Sequence, residues 1–384
     1  MKSIPLVDLL IRWADQNSGS DNIAGLAAMR TLLAEEFGTL QDAVVETIEL
    51  PGTAARALRI RFRPTAPIQV LFSGHYDTVY SSDHAFQKCT RVDDQTLRGP
   101  GVADMKGGLV VMLAALRSFE NSAVVEKLGG EILLTPDEET GSVASAAILE
   151  AAARSRRFAF ALVFEPARAN GDLVRSRKGT GIYTLTVQGR AAHAGRDPSS
   201  GRNAIVALAE ILPVVAAIPT ELPGILLNVG TIRGGGTINI VPDLASADLN
   251  LRVTNAGDEA AFIGRVNALL APLNAREGYS ARIHGRLNRG PKIETPREER
   301  LFADWQRCGR ALGVEFSWQH VGGGSDGNLL SEAGLDNLDG LGPVGDHLHS
   351  DREFVHQPSL EDRARVAALF LEEYATRNPA VEPS

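Results

Sequence analysis

The hydrophobic pattern of the first 73 residues predicts two helices followed by three strands. Apolar residues recur every three or four positions over 4–16 and 23–36, which is the spacing of one helix face. Runs rich in Val, Ile and Leu that are too short for helices predict strands over 44–49, 56–62 and 68–73. The N-terminal part therefore combines helices with the first strands of a sheet.

Helices and strands then alternate. The pattern predicts a helix over 106–120, a strand over 130–135, a helix over 142–153 and a strand over 159–164. Such alternation is typical of crossover connections, which join parallel strands and cover a sheet with helices. We therefore expect an α/β fold with a mostly parallel core sheet flanked by helices.

The rhythm changes near residue 179, where residues 182–187 alternate apolar and polar positions with period two. The later elements predicted here are helices over 203–217 and 258–273 and strands over 225–232, 246–253 and 279–285. Strand-helix-strand-strand-helix-strand is the order of a ferredoxin-like α+β sandwich. We therefore expect residues 179–290 to form an inserted domain, with 1–178 and 291–384 as the two parts of the other domain.

Composition narrows the classes of function. The chain has 384 residues, 44% of them hydrophobic, and a net charge of −8. An acidic balance disfavours nucleic-acid binding, which needs positive charge to neutralise phosphates. No apolar run approaches the ~18 residues of a membrane span, and Cys89 and Cys308 are too few for a disulfide framework. We expect a soluble cytoplasmic protein with no nucleic-acid or membrane partner.

The segment GHYDTV at 74–79 is the first sign of metal chemistry, because it ends an apolar strand. Residues two apart on a strand face the same side. An imidazole that binds a metal usually donates its other N–H to a carboxylate, and His75 with Asp77 would supply that pair. Taken alone, the pair also fits a surface histidine beside an aspartate.

Acidic residues follow two further strands. Glu138 and Glu139 come after the strand at 130–135, and Glu165 directly follows the one at 159–164. Ligands of open α/β sheets gather beyond the carboxyl ends of the strands, although a charged turn is the simpler interpretation of each acid alone. Asp104, in a glycine-rich loop before an apolar helix, also fits an ordinary N-cap. Together these positions favour a metal site.

A serine hydrolase is the rival interpretation. Residues 323–327 fit the G-x-S-x-G nucleophile elbow around Ser325, and an Asp and a His follow in the expected order. Only 24 residues separate Ser325 from His349, too few for the strands and helices that the hydrolase fold places between them. This interpretation also leaves the acids of the first half without a role.

The motifs taken together resemble the M20 metallopeptidases, the dizinc group that includes carboxypeptidase G2, acetylornithine deacetylase, succinyl-diaminopimelate desuccinylase and aminoacylase-1. The matching segments occur in family order over almost the whole chain and read GHYDTV, GPGVADMKGG, PDEETGS, FEPA, GRAAHAG, GGGSDGN and HLHSDREFV. The resemblance implies five metal ligands, which are His75, Asp104, Glu139, Glu165 and His349. It makes Asp104 the bridge between two ions, Glu138 the general base and Asp77 the partner of His75.

The donor chemistry agrees with that assignment. Nitrogen and oxygen ligands without thiolate suit Zn²⁺, with Co²⁺ or Mn²⁺ as substitutes. Two zinc ions bring four positive charges, and three carboxylates with one bridging hydroxide close the site neutral, as a partly buried cluster requires. A metal pair can polarise an amide carbonyl and lower the pKa of the shared water. Glu138 would then carry a proton from that water to the leaving nitrogen.

The resemblance also assigns roles in and near the insert. His193 would stabilise the oxyanion of the tetrahedral intermediate, from the same subunit or across a homodimer formed through the inserted lid. Arg252 would grip a free substrate carboxylate. The remaining residues expected to bind substrate are Asn239, Lys178, Gly323 and Ser325. His347, two residues before His349, is the most obvious alternative ligand in that segment.

We therefore predict a dizinc hydrolase that cleaves an amide beside a free carboxylate, either at the C-terminus of a peptide or in an N-acyl amino acid. A catalytically inert M20-like binding protein is the main alternative, and the retained Glu138 argues against it, since a binder needs no base. The sequence leaves the side-chain preference, the physiological metal and the choice between peptidase and deacylase open.

Overall fold

The computed structural model describes residues 5–377, which fold into two compact units. Within that range the α-helices are α1 Leu6–Ala14, α2 Ile23–Phe37, α3 Lys106–Phe119, α4 Ala146–Arg154, α5 Ala204–Ala216, α6 Asp258–Asn274, α7 Pro296–Ala311, α8 Asp326–Glu332 and α9 Pro358–Arg377. The strands are β1 Val44–Glu49, β2 Arg56–Phe62, β3 Ile68–His75, β4 Thr90–Arg91, β5 Thr96–Arg98, β6 Leu128–Thr135, β7 Ala161–Val163, β8 Leu173–Arg177, β9 Gly179–Gln188, β10 Ile225–Gly234, β11 Leu244–Val253, β12 Ser280–Arg289, β13 Trp318–Val321, β14 Asn337–Asp339, β15 Gly345–Asp346 and β16 Phe354–His356.

Of the described residues, the first unit contains 5–176, Ile293–Val321 and 325–377. Its main sheet has the strand order β1-β2-β6-β3-β7-β14-β8-β13. The four central strands, β6, β3, β7 and β14, run parallel, whereas β2 and β8 join them antiparallel. The predicted α/β fold with a mostly parallel core sheet is therefore confirmed.

The central strands are buried on both faces. All eight residues of β6 are buried, as are all of β3 except Gln69, which explains why these strands form continuous apolar runs instead of alternating. Helix α3 is buried along most of its length and packs against α1 and α9. Phe160 contacts the rings of Phe370 and Tyr374 of α9 at centroid distances of 5.7 and 4.7 Å. This packing holds the central strands in place, and with them the edge of the sheet at which their carboxyl ends lie.

The carboxyl ends of the parallel strands meet at one edge. His75 of β3 is in register with Thr135 of β6, and Val163 of β7 with Asp339 of β14. The first turn of α3 lies against this edge so closely that a Cβ on Gly108 would fall 1.8 Å from the carbonyl oxygen of Phe164. Glycine is therefore required there, and it brings the loop before α3 to the ends of β3 and β7.

The second unit contains Arg177–Lys292 and Gly322–Gly324. Its antiparallel sheet has the order β10-β11-β9-β12, which is the ferredoxin-like arrangement of a βαββαβ chain. Strand β9 alternates buried and accessible positions, and its inner residues pack under α5 and α6 in a separate apolar core. The other face of the sheet carries exposed or half-buried side chains.

The structure adds elements that the sequence pattern does not predict, and it shortens one. A small separate sheet in the first unit consists of strands β4, β5, β15 and β16. These strands are too short to show any hydrophobic periodicity. The predicted helix over 142–153 begins only at Ala146. Gly141 and Ser142 have φ values of 96° and 53°, and such left-handed residues cannot belong to a right-handed helix. Over residues 5–377, no helix has both the length and the apolarity needed to cross a membrane.

Candidate metal centre

His75, the last residue of β3, forms the centre of the site. Its side chain is 1% exposed, because β6 and β7 flank the strand end on both sides. Its Nε2 lies 3.2 Å from Oδ1 of Asp104, and its Nδ1 lies 3.2 Å from Oδ1 of Asp77. The imidazole is therefore held between two carboxylates.

Asp104 stands in the glycine-rich loop before α3, and its bond to Met105 is a cis peptide. Its second oxygen, Oδ2, lies 3.4 Å from Nε2 of His349. The two oxygens of one carboxylate thus face two different imidazoles. This is the arrangement that a carboxylate bridging two cations requires.

Two further carboxylates complete the donor set. Glu139 Oε2 lies 3.1 Å from His349 Nε2, and Glu165 Oε1 lies 3.8 Å from His75 Nε2. The structure thereby forms two groups, His75–Asp104–Glu165 and Asp104–Glu139–His349, in each of which the candidate donor atoms all lie within 4.8 Å of one another. Asp104 belongs to both groups.

The donors fit divalent metal ions of the zinc type. They are two imidazoles and three carboxylates without a thiolate, a set that suits Zn²⁺ and also Co²⁺ or Mn²⁺. The side chains of the three acids are almost completely buried (Asp104, Glu139 and Glu165), whereas the His349 side chain is 53% exposed. A largely buried set of acids beside an accessible imidazole leaves one side of the site open to a ligand.

Packing three carboxylates against two imidazoles perturbs their protonation. Burial works against a charged His75, but hydrogen bonds to Asp104 and Asp77 raise the pKa of His75 well above its ordinary value. Hydrogen bonds to Asp104 and Glu139 raise the pKa of His349 to about 11. Burial raises the pKa of Glu139, while at Asp104 burial is outweighed by the two imidazoles, which lower its pKa. The carboxylates therefore depend on positive charge at their centre.

Glu138 lies beside the donor groups but belongs to neither. It starts a short 3-10 turn, Glu138–Thr140, directly after β6. Its side chain is buried, and its Oε2 lies 4.0 Å from Nε2 of His75. A carboxylate at this position can reach a water molecule or substrate held between the imidazoles and acids, as a general base must.

Asp77 connects more of the site than the sequence suggests. Its oxygens accept from Ser20 Oγ at 2.7 Å and from the backbone N–H groups of Glu138 and Glu139, both at 3.2 Å. Asp77 is fully buried. One carboxylate therefore orients His75 and also fixes the turn that carries the other two acids. The His-x-Asp spacing predicts the contact of Asp77 with His75. No sequence pattern indicates its contacts with Ser20, Glu138 and Glu139.

Glu353 is a further buried acid near the site. It is not among the residues that the sequence predicts for the site. It is 1% exposed and accepts a hydrogen bond from the backbone N–H of Asp104 at 3.0 Å. The available signal was its place in HLHSDREFV, four residues after His349.

In the second unit, His193 and Asn239 lie on adjoining segments. His193 forms a backbone bridge with Ile240, and the N–H of Ala194 donates to the carbonyl of Asn239 at 2.9 Å. The Nδ1 of His193 accepts from the N–H groups of Gly195 and Arg196 at 3.1 Å each. In the neutral ring the proton is therefore on Nε2, which points its donor away from these contacts.

Two arginines of this unit contact the Gly322–Gly324 segment, and one of them is the substrate candidate Arg252. Arg252, on β11, donates from Nη1 to the carbonyl of Gly322 at 3.5 Å and from Nε to Oδ1 of Asn250 at 3.2 Å. Arg177 donates to the carbonyl of Gly323 at 3.3 Å. Lys178, half-buried, joins β8 to β9.

Ser325 occupies a structural position in the first unit. It is fully buried as the N-cap of α8, where its Oγ accepts from the N–H of Gly327 and donates to Oδ2 of Asp339, both at 3.0 Å. The hydroxyl proton is thus directed at an aspartate. A serine nucleophile would instead direct it at a histidine base.

Comparison with known proteins identifies relatives along nearly the whole chain. The model of Peptidase family M20/M25/M40 matches residues 71–373. The chain is 26% identical over 374 residues to carboxypeptidase G2 of Pseudomonas sp. (strain RS-16), covering 95% of this chain and 88% of that protein. It is 28% identical over 338 residues to succinyl-diaminopimelate desuccinylase of Azoarcus sp. (strain BH72), covering 84% and 86%.

Solved structures show the same fold at low identity. The aminopeptidase PepT of Bacillus cereus ATCC 10987 superposes with a TM-score of 0.79 at 20% identity, over 96% of this chain and 98% of that one. The YXEP protein of Bacillus subtilis, described as a dinuclear metal-binding peptidase from the M20 family, gives a TM-score of 0.70 at 12% identity, over 97% and 98%.

Proposed function

Because the chain belongs to peptidase family M20/M25/M40, and is thus a metal-dependent hydrolase, we propose that it cleaves an amide bond next to a free carboxylate with the help of two zinc ions. The bond would join the C-terminal residue to a peptide or an acyl group to an amino acid. The observation that carries this proposal is the Asp104 carboxylate, shared by two donor groups.

The proposed ligands are His75 and Glu165 for one ion, Glu139 and His349 for the other, and Asp104 for both. Three carboxylates against two divalent cations leave one positive charge, which a single anionic ligand would balance. Bound there, the two ions supply Lewis acidity that polarises a carbonyl and makes water more acidic. Zn²⁺ is the proposed metal because imidazole and carboxylate donors suit it, and Co²⁺ or Mn²⁺ would substitute.

Glu138 is proposed to move the proton. Its carboxylate would take a proton from the attacking water and deliver it to the leaving nitrogen. Its burial and its 4.0 Å separation from His75 support this role. The hydrogen bond from its own backbone N–H to Asp77 at 3.2 Å supports it further, because the turn that carries the base is then fixed. Proton transfer by a positioned group contributes typically about 10²–10⁴-fold in rate.

Substrate binding is proposed for residues of the second unit, whereas Ser325, which is fully buried as the N-cap of α8, would support the adjoining Gly323 segment instead of touching substrate. Arg252 would hold the free carboxylate of the substrate, since a guanidinium presents paired donors to two oxygens. His193 would donate from Nε2 to the oxyanion, a role supported by the two backbone N–H groups that occupy its Nδ1. Asn239, Lys178 and Gly323 are proposed as the remaining contacts.

A homodimer through the inserted domain is also proposed. Strand β10 pairs only with β11 among the described residues, so the backbone groups along the other edge of this ten-residue strand have no strand partner there. Leu226 and Ile232 on this strand are 52% and 62% exposed. An apolar edge strand of that length favours pairing with another chain. Light scattering on the wild type and on Ile232→Lys tests this, and a monomeric wild type at micromolar concentration contradicts it.

Metal removal combined with a substrate screen tests the proposed activity. The chain would be stripped with a chelator, titrated with Zn²⁺, Co²⁺ or Mn²⁺, and assayed on N-acyl amino acids and C-terminal dipeptides. The matched control substrates carry an amide in place of the free carboxylate. We expect activity to vanish on stripping, to return at two ions per chain, and to fall sharply on the amidated substrates.

Two outcomes contradict the proposal. Activity that survives complete metal removal and is abolished by a serine-directed reagent would assign the chemistry to Ser325. Tight binding of two ions without turnover of any substrate would instead indicate a binding protein.

An Arg252→Gln variant separates the carboxylate contact from the chemistry, because it should raise KM for free-carboxylate substrates while leaving metal content unchanged.

A further inference from the structure

Glu353 is a buried acid surrounded by hydrogen-bond donors. Its Oε1 accepts from the backbone N–H groups of Ala103 and Asp104 at 2.9 and 3.0 Å. Its Oε2 accepts from the N–H of Gly101 at 3.1 Å and from the hydroxyl of Tyr80 at 2.8 Å. Each oxygen of this carboxylate therefore receives two donors, and the side chain is only 1% exposed.

These contacts join parts of the chain that are about 250 positions apart. Glu353 follows His349 by four residues, while three of its donors belong to the loop that ends in Asp104. Tyr80 adds to the connection, since the single proton of its hydroxyl lies between Oε2 of Glu353 and the carbonyl oxygen of Ser350, each 2.8 Å from the hydroxyl oxygen. The segment after one imidazole is thus tied to the backbone of the shared carboxylate.

The loop packs closely against its surroundings. Gly101 has a φ of 70°, and a Cβ at this position would lie 2.8 Å from the Thr78 side chain. The Asp104 carboxylate must face His75 with one oxygen and His349 with the other, at 3.2 and 3.4 Å. A small shift of the loop backbone would therefore change both contacts at once.

We propose that Glu353 is a positioning residue for the metal centre: it anchors the backbone of Gly101–Asp104 and so determines where the shared carboxylate of Asp104 stands between His75 and His349. This inference rests on the proposed function, because it assumes that Asp104 holds two ions. The hydrogen bonds of Glu353 come from backbone N–H groups and from Tyr80, not from a metal-ligand side chain. Its effect passes through the backbone amide of Asp104.

A Glu353→Gln variant tests the inference through metal affinity. The amide nitrogen of glutamine cannot accept a hydrogen bond. Whichever way the amide turns, at least one backbone N–H of the loop loses its acceptor. Groups that orient metal ligands typically contribute about 10–100-fold to affinity, so we expect the dissociation constant for Zn²⁺, measured by chelator competition on the metal-free protein, to rise by that factor. At saturating Zn²⁺ kcat should recover at least in part.

Glu298→Gln is the matched control. Glu298 is another fully buried glutamate of the same unit, and it accepts from the backbone N–H groups of Asn337 and Thr295 at 2.9 and 3.3 Å. The chemical change is the same and the glutamate is equally buried, but no metal-ligand segment is involved. Its zinc affinity should stay within about twofold of the wild type, while its melting temperature falls.

If Glu353→Gln does not fold, Tyr80→Phe tests the positioning role of Glu353 instead. It removes the hydroxyl, which is one of the four hydrogen-bond donors to the Glu353 carboxylate. Its zinc affinity should fall by about two- to tenfold at a nearly unchanged melting temperature. Wild-type affinity in folded Glu353→Gln, or in Tyr80→Phe when the first variant is unfolded, overturns the inference while the wild type still binds two ions. A wild type that binds no metal pair refutes the proposed function instead.

Discussion

Replacing Glu138 by glutamine separates proton transfer from metal binding. Glutamine keeps the volume and the backbone hydrogen bond to Asp77, but its amide cannot take a proton from water. Glu138 stands outside both donor groups, with its Oε2 4.0 Å from His75 Nε2. The change should therefore leave the metal content at two ions per chain.

The expected magnitude follows from the role. General acid–base catalysis contributes about 10²–10⁴-fold, which corresponds to about 3–5 kcal/mol of transition-state stabilisation at 1.36 kcal/mol per factor of ten. We expect kcat of Glu138→Gln to fall by at least 100-fold, with KM changed by less than about threefold. Steady-state hydrolysis of the best substrate from the screen, with parallel metal analysis, measures both.

The neighbouring Glu139→Gln variant is the control. Glu139 lies 3.1 Å from His349 and belongs to one donor group, so its replacement should lower metal content first and activity as a consequence. Wild-type turnover by Glu138→Gln, or loss of metal from it, would refute the assignment of Glu138 as the base.

Further predictions concern orientation, packing and the inserted unit. Asp77→Asn should weaken zinc binding by about 10–100-fold in chelator competition. Either orientation of the amide leaves the backbone N–H of Glu138 or of Glu139 without its acceptor. An unchanged dissociation constant for Zn²⁺ contradicts this prediction. Phe160→Ala should lower the free energy of unfolding by about 3–5 kcal/mol in urea titrations, since its ring packs on α9; a loss below 1 kcal/mol would count against that packing. Mixing His193→Ala with Glu138→Ala subunits should restore part of the activity if His193 serves the partner's site, and no recovery would favour action within one chain.

The sequence predicts most long elements because their hydrophobic periods are clear. Strands β1 and β2 have the predicted bounds, and α3 ends one residue earlier than predicted. Strands β4 and β15, with two residues each, carry no period and form only because tertiary contacts supply their partners. Helix α8 was not predicted, since its seven residues follow a glycine-rich segment and its start depends on capping by Ser325.

The site was predictable where residue type and strand position agree. His75 ends a central parallel strand, Glu139 and Glu165 each follow one, and the resemblance to the M20 family adds Asp104 and His349. The interactions that orient these groups were not predictable, because they depend on contacts between distant segments. Glu353 reaches the N–H of Asp104 across 249 positions, and the hydroxyl of Ser20 reaches Asp77 across 57. Only the folded chain brings such pairs together.

The most direct test of the account is an X-ray structure of the zinc-loaded protein, with anomalous data collected on both sides of the zinc absorption edge. We predict two anomalous peaks per chain on either side of the Asp104 carboxylate, one within bonding distance of His75 and Glu165 and the other within bonding distance of Glu139 and His349. A single peak, or peaks remote from Asp104, would contradict the central claim that these five side chains hold a pair of ions.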